Sequence, residues 1–259
     1  MTAQFPLITA HSGCMDTLDN TLFSIETGIR LGADIIEEDV RVTRDGIAVL
    51  AHDDEWQTAE DGRLIRISEM SMAELQELVL SVNYAGKSGT MTIARLDEML
   101  DRVRAAGISA NLDLKTDDSV AAAAALVHQY KMADQVLLSG CGPARAMLVQ
   151  QTHPEFRKLL NVDTDLFLTQ DYRDAVRRSC EDAAAAACIG LNVPYQLVKE
   201  ELLEQAAARS LPVFVWTVNE ETLMERFARM GVASITTRNV DALVRLKGNL
   251  HTETTKAPE

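Results

Sequence analysis

Along most of the chain, apolar runs of strand length alternate with stretches in which apolar residues recur at helical spacing. The pattern predicts strands over Leu7–Ala10, Ile35–Val40, Ile108–Leu114, Gln135–Leu138, Lys158–Val162, Cys188–Leu191, Val213–Val218 and Ala233–Thr236. Helices are predicted between them over Leu18–Leu31 (opening after Asp16 and Thr17), Arg95–Ala106 (stopped by Gly107), Ser119–Tyr130 and Pro143–Thr152. Four more follow over Tyr172–Ala187, Gln196–Ser210, Glu220–Met230 and Val240–Leu246. Polar residues at the starts and a glycine at the stop satisfy the unpaired backbone groups of helix ends. Eight strand–helix repeats predict a parallel sheet, and eight is the number that closes it into a (β/α)8 TIM barrel. The competing doubly wound sheet would want Gly-x-Gly-x-x-Gly after its first strand, and none stands there.

About seventy residues separate the second strand from the third, more than one crossover helix needs. Within them Ile47–Leu50 and Leu64–Ile67 read as short strands and Met72–Leu80 as an extra helix. The expectation is one barrel over residues 1–250, with a small subdomain inserted at about 43–90. The tail 251–259 lacks periodicity and is expected to be flexible.

Composition narrows the function. The chain has 259 residues, 47% of them hydrophobic, which excludes intrinsic disorder. A net charge of -14 argues against nucleic-acid binding, which runs on Lys and Arg neutralising phosphates. A small anionic partner stays open, because a bound cation can reverse the local field. No apolar run reaches the length of a transmembrane segment, and the first residues lack a signal-peptide pattern. The four cysteines match neither a zinc site nor a disulfide framework, so reduced thiols in a cytoplasmic protein are expected. A homo-oligomer is compatible with the sequence, which does not decide it.

The second strand carries the chemistry. In Ile35-Ile36-Glu37-Glu38-Asp39-Val40-Arg41, alternation puts Glu37, Asp39 and Arg41 on one face and Ile36 and Val40 on the other. With the apolar face under helices, Glu37 and Asp39 point into the barrel mouth. Two carboxylates about 6 Å apart repel by roughly 3 kcal/mol at an effective dielectric near 20, so they need a cation. On the third strand Asn111, Asp113 and Lys115 face the same interior. Asp113 completes a three-carboxylate site for one divalent cation, and Lys115 is placed to meet an anion there. A plain Asp113–Lys115 pair is disfavoured as a strained contact two residues apart on one strand. His11 and His52 fall at strand ends, where two imidazoles can act as a general acid–base pair. Gly86-Lys87-Ser88 imitates the end of a phosphate loop, but the first glycine is missing and nucleotide binding is rejected.

Taken together, these residues resemble the glycerophosphodiester phosphodiesterase family, a group of (β/α)8 barrels. His11-Ser12-Gly13 resembles its His-Arg-Gly and Asp19-Asn20-Thr21 its Glu-Asn-Thr. Gly32-Ala33-Asp34-Ile35-Ile36-Glu37-Glu38-Asp39-Val40 matches its Gly-Ala-Asp-x-Ile-Glu-x-Asp-Val, and Thr43-Arg44-Asp45-Gly46 and Ala51-His52-Asp53 continue in register. Asp113-Leu114-Lys115 resembles its Glu-x-Lys, and Val215-Trp216-Thr217-Val218-Asn219 a closing motif. The resemblance implies a phosphoric diester hydrolase in which Glu37, Asp39 and Asp113 bind Mg2+ or Ca2+. His11 and His52 would exchange protons, with a cyclic phosphate between two half-reactions. Lys115 would hold the phosphate of a small anionic phosphodiester; Ser12 and Arg41 are further candidates to touch it, and Trp216 either walls the pocket or packs in the core. Ser12 replaces the family's arginine, a one-donor substitute for a two-pronged fork. An arginine restored at 12 is therefore expected to tighten phosphate binding. Thr236-Thr237-Arg238 stands where the family has Thr-Asp, making Arg41 or Arg238 a candidate replacement cation. The alternatives are a related enzyme of lysophospholipase D type acting on another headgroup, and a non-catalytic barrel that binds a phosphorylated ligand.

Overall fold

The computed structural model describes residues 5–84 and 86–254. In chain order it opens with β1 (Leu7–Ala10), α1 (Leu22–Leu31) and β2 (Ile35–Val42). The inserted region holds β3 (Ala48–Leu50), β4 (Glu55–Thr58), β5 (Leu64–Arg66), α2 (Met72–Gln76), β6 (Leu80–Tyr84) and β7 (Lys87–Met91). Then come α3 (Leu96–Ala106), β8 (Ser109–Leu114), α4 (Asp118–Tyr130), β9 (Val136–Ser139), α5 (Pro143–Thr152) and β10 (Arg157–Asn161). The remainder is α6 (Thr164–Thr169), α7 (Tyr172–Ala185), β11 (Gly190–Pro194), α8 (Glu200–Ala207), β12 (Val213–Trp216), α9 (Glu221–Met230), β13 (Ser234–Thr237) and α10 (Val240–Thr254).

Eight parallel strands run β1-β13-β12-β11-β10-β9-β8-β2 and close through β1–β2, so the predicted (β/α)8 barrel is what forms. The cause is visible in the alternation. Ile8, Ile36, Val40, Leu112, Leu138, Leu160, Val193, Val215 and Ile235 are buried in the main apolar core. Each full burial of such a side chain is worth roughly 1.5–3 kcal/mol. Their odd-numbered or even-numbered neighbours are left to face the barrel interior.

Several boundaries differ from expectation: the helix expected over Gln196–Ser210 runs only over Glu200–Ala207, after a separate turn at Tyr195–Leu197, and α6 is not among the expected helices. The first helix starts at Leu22, four residues late, because Thr21 accepts Ser24 N–H as its cap and Leu18 belongs to the preceding loop. The extra helix ends at Gln76: from Leu80 the period shortens to two, with Leu80 and Val82 buried. α10 continues through Thr254, past the point where periodicity fades, and residues 255–259 lie outside the described residues. The insertion is also more ordered than two strands and a helix. A four-stranded antiparallel sheet, β5-β4-β6-β7, packs Ile65, Ile67, Met72, Leu75, Leu80 and Val82 into a second apolar cluster beside the barrel. β3 pairs antiparallel with β2, and Ala51 N–H donates to Asp39 O at 3.1 Å. That hairpin returns the chain to the barrel mouth at His52.

Candidate active site

A cavity of about 490 Å3 opens at the carboxyl ends of the barrel strands. Glu37 and Asp39 of β2, Asn111 and Asp113 of β8 and Lys115 just beyond form one side. Ser139, Asn161, Asn192, Trp216 and Thr236 continue the wall around the barrel. The inserted sheet closes it over with Trp56, Gln57, Ser81, Val82, Asn83 and Lys87. His11 and His52 both line this space.

Parallel pairing places Asp39 directly beside Asp113 and Glu37 beside Asn111. One carboxylate oxygen each from Glu37, Asp39 and Asp113 lies within 4.8 Å of the others. Burial raises Glu37 well above the usual carboxylate range, and repulsion from Asp39 and Asp113 adds to it. Burial pushes Asp39 the same way, but Lys115 and Asn20 outweigh it and hold Asp39 below its ordinary value. Lys115 Nζ sits 2.6 Å from both Asp39 Oδ1 and Asp113 Oδ2. Burial disfavours its charge, yet the two aspartates more than compensate and raise its pKa. The Asp113–Lys115 pair disfavoured on sequence grounds therefore forms. Side chains two apart on one strand share a face, and lysine's four-carbon stem spans the gap.

The donor set fits a hard divalent cation. Three carboxylates converge, and the buried Asn111 Oδ1, on the same face of β8, makes no hydrogen bond among the described residues. Carboxylate and amide oxygens are what Mg2+ and Ca2+ take as ligands.

Ser12 and Arg41, expected at the phosphate, are placed elsewhere. Ser12 is 0% exposed. Its hydroxyl donates to Glu38 Oε2 at 2.7 Å and accepts from Asn20 N–H at 2.6 Å, while its own N–H donates to Glu37 Oε2 at 3.2 Å. Asn20 in turn grips Asp39 twice, donating Nδ2 to Oδ2 and accepting from the backbone N–H. Ser12 thus joins the first loop to the acidic strand, and the space at 12 holds no room for an arginine. Arg41 Nε donates to the His52 carbonyl at 2.8 Å, so it secures the rim that carries His52. Trp216 does line the cavity, with its indole N–H unpartnered among the described residues.

His11 Nδ1 lies 2.9 Å from Ser12 O. A carbonyl only accepts, so Nδ1 carries the proton and Nε2 is left unprotonated. Burial lowers the His11 pKa, and the Arg238 charge lowers it further. His52 is exposed at the rim with Nδ1 2.9 Å from Asp53 Oδ1.

Arg238, named from the sequence as a candidate replacement cation, lines the cavity, whereas Lys87 and Glu38 escape sequence reasoning. Arg238 Nη2 meets Asp19 Oδ2 at 2.6 Å and its Nε donates to Ser12 O, while Lys87 Nζ meets Asp19 Oδ1 at 2.8 Å. Both cations line the cavity. Glu38 is the other surprise. It is 1% exposed, on the outward face of β2, and burial drives its pKa well up despite the Ser12 hydrogen bond. A carboxylate where alternation wants an aliphatic residue was the available signal.

The chain has relatives among known proteins. The glycerophosphoryl diester phosphodiesterase family matches residues 3–242. The chain belongs to that family, whose members are phosphoric diester hydrolases. A glycerophosphodiester phosphodiesterase of Caldanaerobacter subterraneus subsp. tengcongensis is 22% identical over 93% of this chain and 97% of its own length. One from Arabidopsis thaliana is 24% identical over 96% of this chain and 75% of its own length. A solved structure from Silicibacter pomeroyi superposes with a TM-score of 0.80 at 22% identity, covering 97% of this chain and 95% of that one. An Oleispira antarctica phosphodiesterase, solved in complex with the product sn-glycerol-3-phosphate, superposes at 0.74 with 20% identity over 95% and 97%. Likeness at that identity establishes the shared fold. No helix among the described residues is long and apolar enough to cross a membrane.

Proposed function

We propose that the chain hydrolyses glycerophosphodiesters to glycerol 3-phosphate and an alcohol. The observation that carries this reading is the presence of His11, His52 and the Glu37–Asp39–Asp113 cluster on one cavity. The product bound by the Oleispira antarctica relative supports the choice of substrate. Glu37, Asp39 and Asp113 would hold one divalent cation, Mg2+ or Ca2+. When bound, that ion offsets charge on the non-bridging oxygens of the phosphate.

His11 fits the base. Its unprotonated Nε2 is available at neutral pH because burial and Arg238 disfavour the imidazolium. It would take the proton of the glycerol hydroxyl next to the phosphorylated carbon as that oxygen bonds to phosphorus. His52, oriented by Asp53, would give a proton to the departing alcohol oxygen as its bond to phosphorus breaks. Water then opens the resulting cyclic phosphate, with the histidines exchanging roles. Lys115, Lys87 and Arg238 would face the phosphate, and Trp216 Nε1, unpartnered among the described residues, would offer a donor to a substrate oxygen.

The test is turnover of a panel of glycerophosphodiesters with Mg2+ or Ca2+, read as released glycerol 3-phosphate. His11→Ala and His52→Ala should each lose about 10²- to 10⁴-fold in kcat, the usual range for general acid–base groups. Full activity in His52→Ala removes this mechanism. Lysophospholipid turnover alone would shift the reading to a lysophospholipase D-type headgroup, and no turnover of any diester would favour a binding role.

A further inference from the structure

A second convergence of ligating side chains lies at the opposite end of the barrel. His128 is in the last turn of α4, His153 directly follows α5, and Glu155 lies two residues before β10. One ligand atom from each lies within 4.8 Å of the others. His128 Nε2 stands 2.9 Å and His153 Nδ1 3.6 Å from the same oxygen, Glu155 Oε1. Among the described residues, these two histidines are the ion-pair partners of Glu155, with no Lys or Arg in that role.

The rings are held in place. Buried Phe156 packs against both, at centroid distances of 5.0 Å to His128 and 5.8 Å to His153. The turn that carries His153 and Glu155 is closed by His153 N–H to Val149 O and Phe156 N–H to His153 O. The negative ends of two helix dipoles, those of α4 and α5, meet at the same spot and favour positive charge there.

We propose that His128, His153 and Glu155 form a separate site for a borderline divalent transition ion of the Zn2+ type. Two imidazoles and one carboxylate, with water in the open position, are a donor set that suits Zn2+ better than Mg2+ or Ca2+. Tetrahedral bonds of about 2.0–2.1 Å put ligand atoms roughly 3.3 Å apart. Small rotations of the exposed His128 and Glu155 side chains toward the half-buried His153 would bring the donors to that spacing. The ion would tie the end of α4 to the α5–β10 turn, far from the catalytic cavity and independent of the reading given to it.

The test uses the full chain in saturating Mg2+, which occupies the carboxylate cluster, titrated with ZnCl2 by calorimetry and thermal melting. Wild type should bind one equivalent of Zn2+ that His128→Ala and His153→Ala each weaken by at least the roughly 10–100-fold that loss of even an outer-shell partner costs. The Zn2+-dependent rise in Tm should vanish with it, while Mg2+-supported diester turnover and the Zn2+-free Tm stay at wild-type values. Glu155→Gln, which preserves shape, should weaken the same equivalent. Absence of a bound equivalent in wild type at 100-fold molar excess of ZnCl2 overturns the proposal. So does full retention of Zn2+ stoichiometry and affinity in the double histidine variant.

Discussion

Replacing Ser12 by alanine separates two accounts of that residue. As a phosphate donor, Ser12 would matter for substrate affinity and little for folding. In the structure its hydroxyl is consumed inside the protein, donating to buried Glu38 and accepting from Asn20 N–H. Ser12→Ala therefore deletes two buried hydrogen bonds and strands a donor and an acceptor. A net contribution of about 1 kcal/mol for each bond, plus about 1 kcal/mol or more for leaving the buried Asn20 N–H and Glu38 carboxyl unpaired, gives a loss near 3 kcal/mol. For a domain of this size each kcal/mol moves Tm by about 2–4 °C, so the melting point should fall by about 6–12 °C. Glu38→Gln keeps the shape and an acceptor for Ser12. In a double-mutant cycle followed by urea denaturation, the Ser12–Glu38 coupling should be about 1–2 kcal/mol. An unchanged Tm together with a raised KM in Ser12→Ala would refute the buried-hub account and restore the phosphate role. Ser12→Arg, by the same geometry, should destabilise and not tighten phosphate binding.

Arg238→Gln removes a cavity cation and one partner of Asp19; KM for a glycerophosphodiester and KI for glycerol 3-phosphate should each rise about 10-fold or more, about the 1.5–3 kcal/mol of a charged hydrogen bond. Chelation of divalent ions should abolish turnover and lower Tm, and adding Mg2+ or Ca2+ at 100 times its Kd should restore about 2.7 kcal/mol of stability by linkage, measured by thermal melting. Gly140 has φ +68, and a Cβ there would overlap Asp113 Oδ1 and the Leu114 backbone, so Gly140→Ala should cripple metal-dependent turnover, checked by steady-state assay. Lys158 is fully buried with Nζ 2.8 Å from Gln150 Oε1, and burial lowers its pKa. The unfolded chain then binds a proton that the folded chain binds less readily, so wild-type stability rises with pH up to about 10.5; Lys158→Met should stabilise at pH 7, with a gain that shrinks toward pH 10 in urea titrations.

The barrel and its acidic centre are legible because both follow from local period. Alternation in β2 and β8 orients Glu37, Asp39 and Asp113, and a parallel barrel brings neighbouring strands into register without further information. The inserted sheet is not legible in the same way. β4 and β7 are polar segments, Glu55–Thr58 and Lys87–Met91, whose pairing is settled by neighbours rather than by their own hydrophobicity. Lys87 and Arg238 reach Asp19 from positions 68 and 219 residues away, a meeting that no spacing rule encodes. Ser12 misleads for a related reason. Its place in a motif suggests an exposed role, whereas its surroundings, Glu38 and Asn20, are tertiary facts.

Charge explains how an acidic protein can receive an anionic substrate. The overall charge of -14 acts through a Debye length of only about 8 Å at physiological salt, so the cavity's own groups decide. On one side Lys87 and Arg238 share a single carboxylate, Asp19, and leave positive charge over. On the other, Lys115 faces Glu37, Asp39 and Asp113, and the balance is negative until a divalent ion is added. Asp53 and Glu55 also line the cavity, so without that ion its formal charge is negative, and a divalent ion removes most of that excess. Ion and diester must therefore favour each other's binding, and by reciprocity the diester should raise the affinity for the ion by the factor that the ion raises affinity for the diester. An arginine supplied from the end of β13, together with a lysine from the inserted sheet, thus gives the cavity a positive wall that position 12, buried in the packing of the first loop, has no means of providing.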